Sequence, residues 1–214
     1  MSNYDHIIWD WNGTIIDDAW LCVEVMNEVL EDKGLPLINI NTYRENFGFP
    51  VKTYYKKLGF NFHDEKFEIV GLEFIKKYLI RRFEPKIYPK FKKIIESLVS
   101  NNISHSILSA QDQQTLTETT KYYDVDKYFS NIIGLNNQYA YGKINAGIKL
   151  LKKLRYNKNR ILVIGDTKHD GEVALKLGVE CLLLNCGHND NSQLNKVPFK
   201  IIKSHDEIYS YVID

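Results

Sequence analysis

Two carboxylates stand where buried strands are expected to end. Asp10 follows the apolar run Ile7–Trp9, and Asp166 follows the apolar run Ile161–Gly165. A further carboxylate, Asp170, comes four residues after Asp166. Ligands in open α/β sheets bind at the carboxyl ends of the strands, and carboxylate oxygens are the ligands that Mg²⁺ prefers. The spacing therefore predicts a magnesium site at one edge of a sheet.

Polar groups of other kinds are expected at the same edge. The apolar run Ile103–Ser109 ends in a hydroxyl, and Lys143 follows Gly142 just before a predicted helix. A hydroxyl and an ammonium are donors suited to the oxygens of an anion. Two further polar side chains therefore stand at predicted strand and helix ends.

Alternating strand and helix patterns position these residues. Short apolar runs, most of them containing β-branched residues, predict buried strands of a parallel sheet, and amphipathic segments between them predict crossover helices. The predicted strands are Ile7–Asp10, Ile103–Ser109, Ile161–Asp166, Glu180–Leu184 and Phe199–Ile202, and the helices are Lys90–Val99, Gln113–Tyr122, Ala146–Leu154 and Asp170–Leu177. The expected fold class is α/β, with a Rossmann-like three-layer core around a parallel sheet.

One stretch interrupts the alternation. Residues 17–83 carry almost only helical patterns, among them a helix that Asp17 or Asp18 caps and that ends near Gly34, and another within Asp64–Arg82. We therefore predict a core of residues 1–16 and 84–214 and an inserted all-helical domain of residues 17–83. An insert directly after the first strand is expected to lie over the carboxyl ends of the strands.

Composition limits the class of protein. The chain has 214 residues, 28 Lys and Arg against 27 Asp and Glu, and three Cys. The near balance of charges argues against a nucleic-acid-binding module. The odd number of Cys residues, without a C-x-x-C motif, supports neither a disulfide framework nor a zinc site. No apolar run has the length of a membrane span. We expect a cytoplasmic protein that binds neither nucleic acid nor membrane.

With these motifs in order, the sequence resembles the haloacid dehalogenase-like hydrolase superfamily along essentially its whole length. Asp10-Trp11-Asn12-Gly13-Thr14 is similar to the first motif, D-x-D-G-T, and Gly165-Asp166-Thr167 with Asp170 is similar to the fourth, G-D-T-x-x-D. Ser109 and Lys143 stand where the second and third motifs have a hydroxyl and a basic residue. The helical insert resembles the C1-type cap of the phosphoglycolate phosphatase-like branch.

The resemblance implies a Mg²⁺-dependent hydrolase of a small phosphomonoester. Asp10 would be the nucleophile that forms an aspartyl-phosphate, and Ser109 and Lys143 would hold the phosphoryl oxygens. The implied ligands of Mg²⁺ are Asp10, the backbone carbonyl of Asn12, Asp166 and Asp170, the last of which orients Lys143 in an alternative interpretation. The implied substrate-binding residues are Gly13, Thr14, Ser109, Ala110, Lys143 and, in the cap, Arg44.

Asn12 departs from the family pattern. The family usually has an Asp here that protonates the leaving alcohol and activates water, and a carboxamide does neither. Three interpretations stay open. The protein is a phosphatase with a limited range of leaving groups, in which His169 or His188 can replace the missing acid; or it is a slow or inactive protein that binds phosphate or a nucleotide; or it is a haloacid dehalogenase. The two metal-type carboxylates argue against the last, since that chemistry needs no cation.

Substrate specificity is expected in the cap. Arg44, Lys52 and Tyr54 flank the segment Phe47–Pro50, which resembles a cap loop that faces the site. The expected partner is a small phosphorylated metabolite, with phosphoglycolate as the guess from the resemblance. The chain is expected to be a monomer or a homodimer.

Overall fold

A computed structural model of the chain describes residues 2–63, 65–136 and 142–213. Its centre is a six-stranded parallel sheet in the order β5-β4-β1-β6-β7-β8. The strands are β1 His6–Trp9, β4 Ser104–Asp112, β5 Asn131–Leu135, β6 Ile161–Gly165, β7 Glu180–Leu184 and β8 Lys200–Ile202, and the other two, β2 Ile16–Asp17 and β3 Lys86–Ile87, form a separate pair. This confirms the predicted α/β fold with a parallel sheet.

Helices cover both faces of the sheet, and β1 and β6 are therefore buried along their whole length. One apolar cluster joins α5, α6 and α10 to the sheet, and another joins α7, α8 and α9 to it. The helices of the core are α5 Phe91–Ser100, α6 Gln113–Tyr122, α7 Lys143–Lys153, α8 Lys168–Leu177, α9 Asn191–Leu194 and α10 Asp206–Ile213. The result is the predicted three-layer arrangement.

The inserted segment folds as helices with a core of their own. Its buried apolar residues, which extend from Ala19 to Tyr78, form one cluster separate from the two clusters of the sheet. The helices are α1 Ala19–Asp32, α2 Ile40–Asn46, α3 Val51–Lys57 and α4 Phe67–Arg81. The predicted first residue of α4, Asp64, lies outside the described residues. The boundaries of the two domains stay a prediction.

A short antiparallel pair joins the two parts. Strand β2, which leads into the cap, pairs with β3, which leads out of it, with Ile16 opposite Ile87 and Asp17 opposite Lys86. Because Ile16 lies only six residues after Asp10, this pair places the base of the cap beside the carboxyl end of β1. The cap is thereby held over the edge of the sheet where ligands bind.

None of the helices among the described residues has the length and apolar character needed to cross a membrane.

Candidate active site

The carboxylates predicted from the sequence meet at the carboxyl edge of the sheet. Asp10 follows β1, Asp166 follows β6, and Asp170 lies in the first turn of α8; all three are buried. A carboxylate oxygen from each lies within 4.8 Å of the others. The pairing of β1 with β6, in which Trp9 lies opposite Ile164, sets this proximity.

Lys143 lies inside the carboxylate cluster. Its Nζ donates to Asp10 Oδ1 and to Asp170 Oδ1, at 2.5 Å each, and the side chain is 4 % exposed. Burial acts to lower the pKa of Lys143, but the two carboxylates outweigh burial, so that the pKa lies above its ordinary value. The ammonium is therefore charged, as an anion-binding group has to be.

One ammonium does not balance three buried carboxylates. Burial raises the pKa of Asp10 to about 8, and the charges of Asp170 and Asp166 act in the same direction, while the charge of Lys143 opposes them. Burial, with Asp170 among the further causes, raises the pKa of Asp166 to about 6. Hard oxygen donors with excess negative charge fit a divalent cation of the Mg²⁺ type, which would relieve the repulsion.

Each carboxylate is oriented by neighbours. Asp166 accepts from Thr14 Oγ1 at 2.8 Å and from the His188 backbone N–H at 2.6 Å. The second oxygen of Asp170 accepts from the backbone N–H and hydroxyl of Thr167, a capping box at the start of α8. Asp170 therefore both orients Lys143 and caps a helix, and its role as a metal ligand stays a prediction.

A cavity of about 230 Å³ opens between the cap and this edge of the sheet. Asp10 lines it, while Asp166 and Asp170 do not. Ser109, Ala110 and Lys143 also line it, as expected of residues predicted to bind substrate. Ser109 lies in the last part of β4, and its Oγ accepts from the backbone N–H of Gln111 at 3.1 Å, which leaves its own hydroxyl hydrogen for a ligand.

Three residues predicted to bind substrate have other roles. Gly13 adopts φ +72°, and a Cβ there would collide with the carboxylate of Asp166, so the glycine serves close packing. Thr14 is fully buried and holds Asp166. Arg44 donates from Nε to the Gly187 carbonyl and from Nη2 to the Cys186 carbonyl, at 2.7 Å each. Arg44 thus joins the cap to the core. None of the three residues lines the cavity, and their binding of substrate stays a prediction.

Sequence reasoning missed Asp18 as a residue of the site. Although it precedes α1, its side chain does not cap that helix. Its carboxylate accepts from the Gly13 backbone N–H at 2.9 Å, from Asn12 Nδ2 at 2.7 Å and from the Tyr78 hydroxyl at 2.8 Å. The side chain is fully buried, and no local pattern indicates these partners, which come from the turn after β1 and from α4.

His188 completes this network. Its Nε2 lies 3.2 Å from Asp18 Oδ1, and its Nδ1 lies 2.8 Å from the Tyr43 hydroxyl. Burial opposes a charge on the ring, but Asp18 outweighs burial and raises the pKa of His188 to about 9. Burial likewise acts to raise the pKa of Asp18. The charge of His188, together with the hydrogen bonds that Asn12 and Tyr78 donate to Asp18, nevertheless keeps that pKa below its usual value. His188 and Asp18 thus form a buried ion pair next to Asn12, whereas His169 pairs with Glu172 at 3.3 Å.

The sequence and the fold of the chain are similar to those of known proteins. The chain is 23 % identical over 194 residues to the phosphoglycolate phosphatase of Aquifex aeolicus, covering 88 % of each. Its fold is similar to a haloacid dehalogenase-like hydrolase from Streptococcus pneumoniae, with TM-score 0.81, 20 % identity and 99 % of each chain covered. It is also similar to protein tyrosine kinase A of Mycobacterium tuberculosis, with TM-score 0.82, 17 % identity and 98 % of each chain covered. The sequence profile of the haloacid dehalogenase-like hydrolases matches residues 7–184, and the chain belongs to that family.

Proposed function

We propose that the protein is a Mg²⁺-dependent phosphatase that hydrolyses a small phosphomonoester through a phosphorylated Asp10. The phosphatase class is supported by the family match and by the phosphoglycolate phosphatase of Aquifex aeolicus among the relatives. The observation that carries the mechanism is that Asp10, alone among the three clustered carboxylates, lines the cavity. It is therefore the carboxylate that a phosphoryl group in the cavity can contact.

The chemistry follows from the contacts of Asp10. One oxygen of Asp10 binds Lys143. A carboxylate oxygen of Asp10 attacks phosphorus, the ester P–O bond breaks, and the organic group leaves as its alkoxide or phenoxide. Lys143 has three N–H donors and uses two of them on Asp10 and Asp170, so that the third serves a phosphoryl oxygen. The Ser109 hydroxyl offers a second donor, and water then hydrolyses the acyl phosphate.

The metal ion would be held by Asp10 and Asp166, with the Asn12 carbonyl and Asp170 as further proposed ligands. When bound, it would supply positive charge at the phosphoryl oxygens and offset the repulsion between the carboxylates. The raised pKa values of Asp10 and Asp166 support a site with room for this charge. The physiological ester, a small phosphorylated metabolite, and the monomeric or homodimeric state remain proposals.

Phosphate release from acetyl phosphate and phenyl phosphate, with Mg²⁺ and with EDTA, tests the proposal. We expect turnover with Mg²⁺ only, and a fall to below about one thousandth in Asp10→Asn, as for removal of a nucleophile. Asp124→Asn, which neutralises an exposed carboxylate paired with Lys127, is the matched control and should keep full activity. Acid-quenched wild-type enzyme should yield a peptide phosphorylated at Asp10 by mass spectrometry.

Activity that survives in Asp10→Asn would contradict the proposed nucleophile. A folded wild-type protein that binds inorganic phosphate but releases none from either compound would instead favour the phosphate-binding alternative that Asn12 suggests.

A further inference from the structure

The wall of the cavity that the cap contributes is almost entirely apolar. Helix α4 contributes one of its faces to this wall, since its lining residues recur at intervals of three and four positions. The loop between α2 and α3 and helix α3 add aromatic rings. The apolar and aromatic lining residues of the cap are Met26, Tyr43, Phe47, Phe49, Val51, Tyr54, Tyr55, Phe67, Phe74, Ile75, Tyr78 and Leu79.

The size of the cavity suits an organic ring. A dry cavity of about 150 Å³ lined by Leu, Ile and Phe accepts benzene in another protein. The present cavity of about 230 Å³ is larger, and it ends at Asp10 and Lys143, where the phosphoryl group is proposed to bind. A cavity of this size has room for a six-membered ring next to the aromatic residues of the cap.

Among the residues that the structure describes, no unpaired cation lines the cavity. Lys143 is the only Lys or Arg of this lining, and it already pairs with two carboxylates. The charged His188 ring also lines the cavity, and it pairs with Asp18. The cations of the cap lie elsewhere: Arg44 binds backbone carbonyls, and Lys52 lies over the rings of Phe62 and Phe67. A carboxylate or second phosphate on the substrate would be desolvated here without a partner, which is costly.

Apart from Asp10, Lys143, Asp112 and the Asp18–His188 ion pair, the polar side chains that line the cavity are uncharged. Tyr54 and Gln111 both line it, and within the part of the chain that the structure describes the Tyr54 hydroxyl and Gln111 Oε1 are buried without a hydrogen-bond partner. Tyr54 is 2 % exposed. Buried polar atoms are nearly always paired, so these two indicate a ligand whose organic part carries neutral hydrogen-bonding groups.

The position of Asn12 favours a leaving group that needs no proton. The Asn12 carboxamide donates to Asp18 and to Tyr78, and it has no acidic proton to give. Both ring nitrogens of His188 are already engaged, by Asp18 and Tyr43. A phenoxide departs without protonation more readily than an alkoxide, because a phenol is far more acidic than an alcohol.

These observations converge on one class of substrate, and we infer that the cavity selects phosphomonoesters of a neutral aromatic group, aryl phosphates, over the esters of small hydroxy acids such as phosphoglycolate. The inference deepens the proposed phosphatase function and rests on it.

Two esters with phenolic leaving groups of similar acidity isolate the effect of charge: phenyl phosphate and 4-carboxyphenyl phosphate. With Mg²⁺ we expect kcat/KM for phenyl phosphate to exceed that for 4-carboxyphenyl phosphate, and that for phosphoglycolate, at least about tenfold, because the carboxylate is buried unpaired.

A cation introduced into the wall should remove the preference. Ile75 lines the cavity, so Ile75→Lys should bring the ratio between the two aryl esters to within about threefold of one. Ile80 lies on the same helix and is 82 % exposed, so Ile80→Lys is the matched control and should keep the wild-type ratio.

Affinity gives a readout independent of turnover. Titration calorimetry of Asp10→Asn should show tighter binding of phenyl phosphate than of 4-carboxyphenyl phosphate. Equal affinities, or release of phosphate from 4-carboxyphenyl phosphate or phosphoglycolate as fast as from phenyl phosphate, would overturn the inference alone. Absence of phosphate release from every ester and from the acyl phosphate acetyl phosphate would instead contradict the proposed function.

Discussion

Asn12 occupies the position where the family usually carries a carboxylate, and its surroundings predict that Asn12→Asp destabilises the fold. The Asn12 Nδ2 lies 2.7 Å from Asp18 Oδ2 and 3.0 Å from the Tyr78 hydroxyl. Asp18 is fully buried and is kept ionised by its partners. A carboxylate at position 12 would therefore replace a hydrogen-bond donor with a like charge.

Two contributions set the size of the effect. The lost hydrogen bond involves a charged acceptor, which is worth about 1.5–3 kcal/mol. Two like charges about 3 Å apart repel by about 5 kcal/mol at an effective dielectric constant of about 20, and uptake of a proton relieves part of this. We expect the free energy of unfolding to fall by about 3–5 kcal/mol, as when a buried charge loses its partner.

Urea unfolding at pH 8 in EDTA measures this difference without a contribution from bound metal. The double variant Asn12→Asp/Asp18→Asn restores an amide opposite a carboxylate, so it should be more stable than the sum of the single variants predicts. Asn41→Asp, an exposed substitution in α2, should change the free energy of unfolding by less than about 0.5 kcal/mol.

A wild-type free energy of unfolding in Asn12→Asp under these conditions would refute the predicted repulsion between positions 12 and 18. Absence of coupling between the two substitutions in the double variant would refute it as well.

Two further predictions follow from contacts outside the carboxylate cluster. His6 is fully buried, and burial lowers its pKa to about 4, so the folded state resists protonation that the unfolded state accepts near pH 6.5. The free energy of unfolding should therefore decrease as the pH falls from 6.5 towards 4, by about 2.5 kcal/mol at pH 4.5 from this residue, and urea unfolding of His6→Asn should show a weaker pH dependence than that of the wild type. The same pH dependence in both proteins would contradict this assignment. Arg44→Gln should lower the free energy of unfolding by about 1–3 kcal/mol, because two carbonyls of residues 186–187 lose a charged donor. It should also reduce kcat/KM for neutral and carboxylated esters by the same factor; a loss confined to carboxylated esters would support Arg44 as a substrate-binding residue.

The sequence alone determined the elements that carry the chemistry. Apolar runs predicted β1, β4, β6, β7 and β8 within a few residues of their observed bounds, because a strand buried on both faces must be apolar along its length. It did not predict β5, Asn131–Leu135. That strand contains Gly134 and is less buried than β1 or β6, so its apolar pattern is weak.

The side-chain partners were decided by tertiary structure. Asp10, Asp166 and Lys143 were found from the sequence because strand and helix ends place them at one edge, and their proximity needs only the topology of the sheet. Asp18 looks like a helix cap in the sequence, and Arg44 looks like an anion-binding residue. In the structure, Asp18 accepts hydrogen bonds from Asn12 and Tyr78, and Arg44 donates to backbone carbonyls. These partners lie on elements that only folding brings together.

The same holds for the cavity. The sequence places aromatic and apolar residues at helical spacing in the cap, a pattern equally consistent with a cap core and with a binding surface. Packing of α4 over the carboxyl edge of the sheet decides which of them face Asp10, and it leaves no free Lys or Arg of the described chain among them. Local patterns therefore predict where a phosphoryl group binds, whereas the choice of substrate depends on contacts between residues far apart in the sequence.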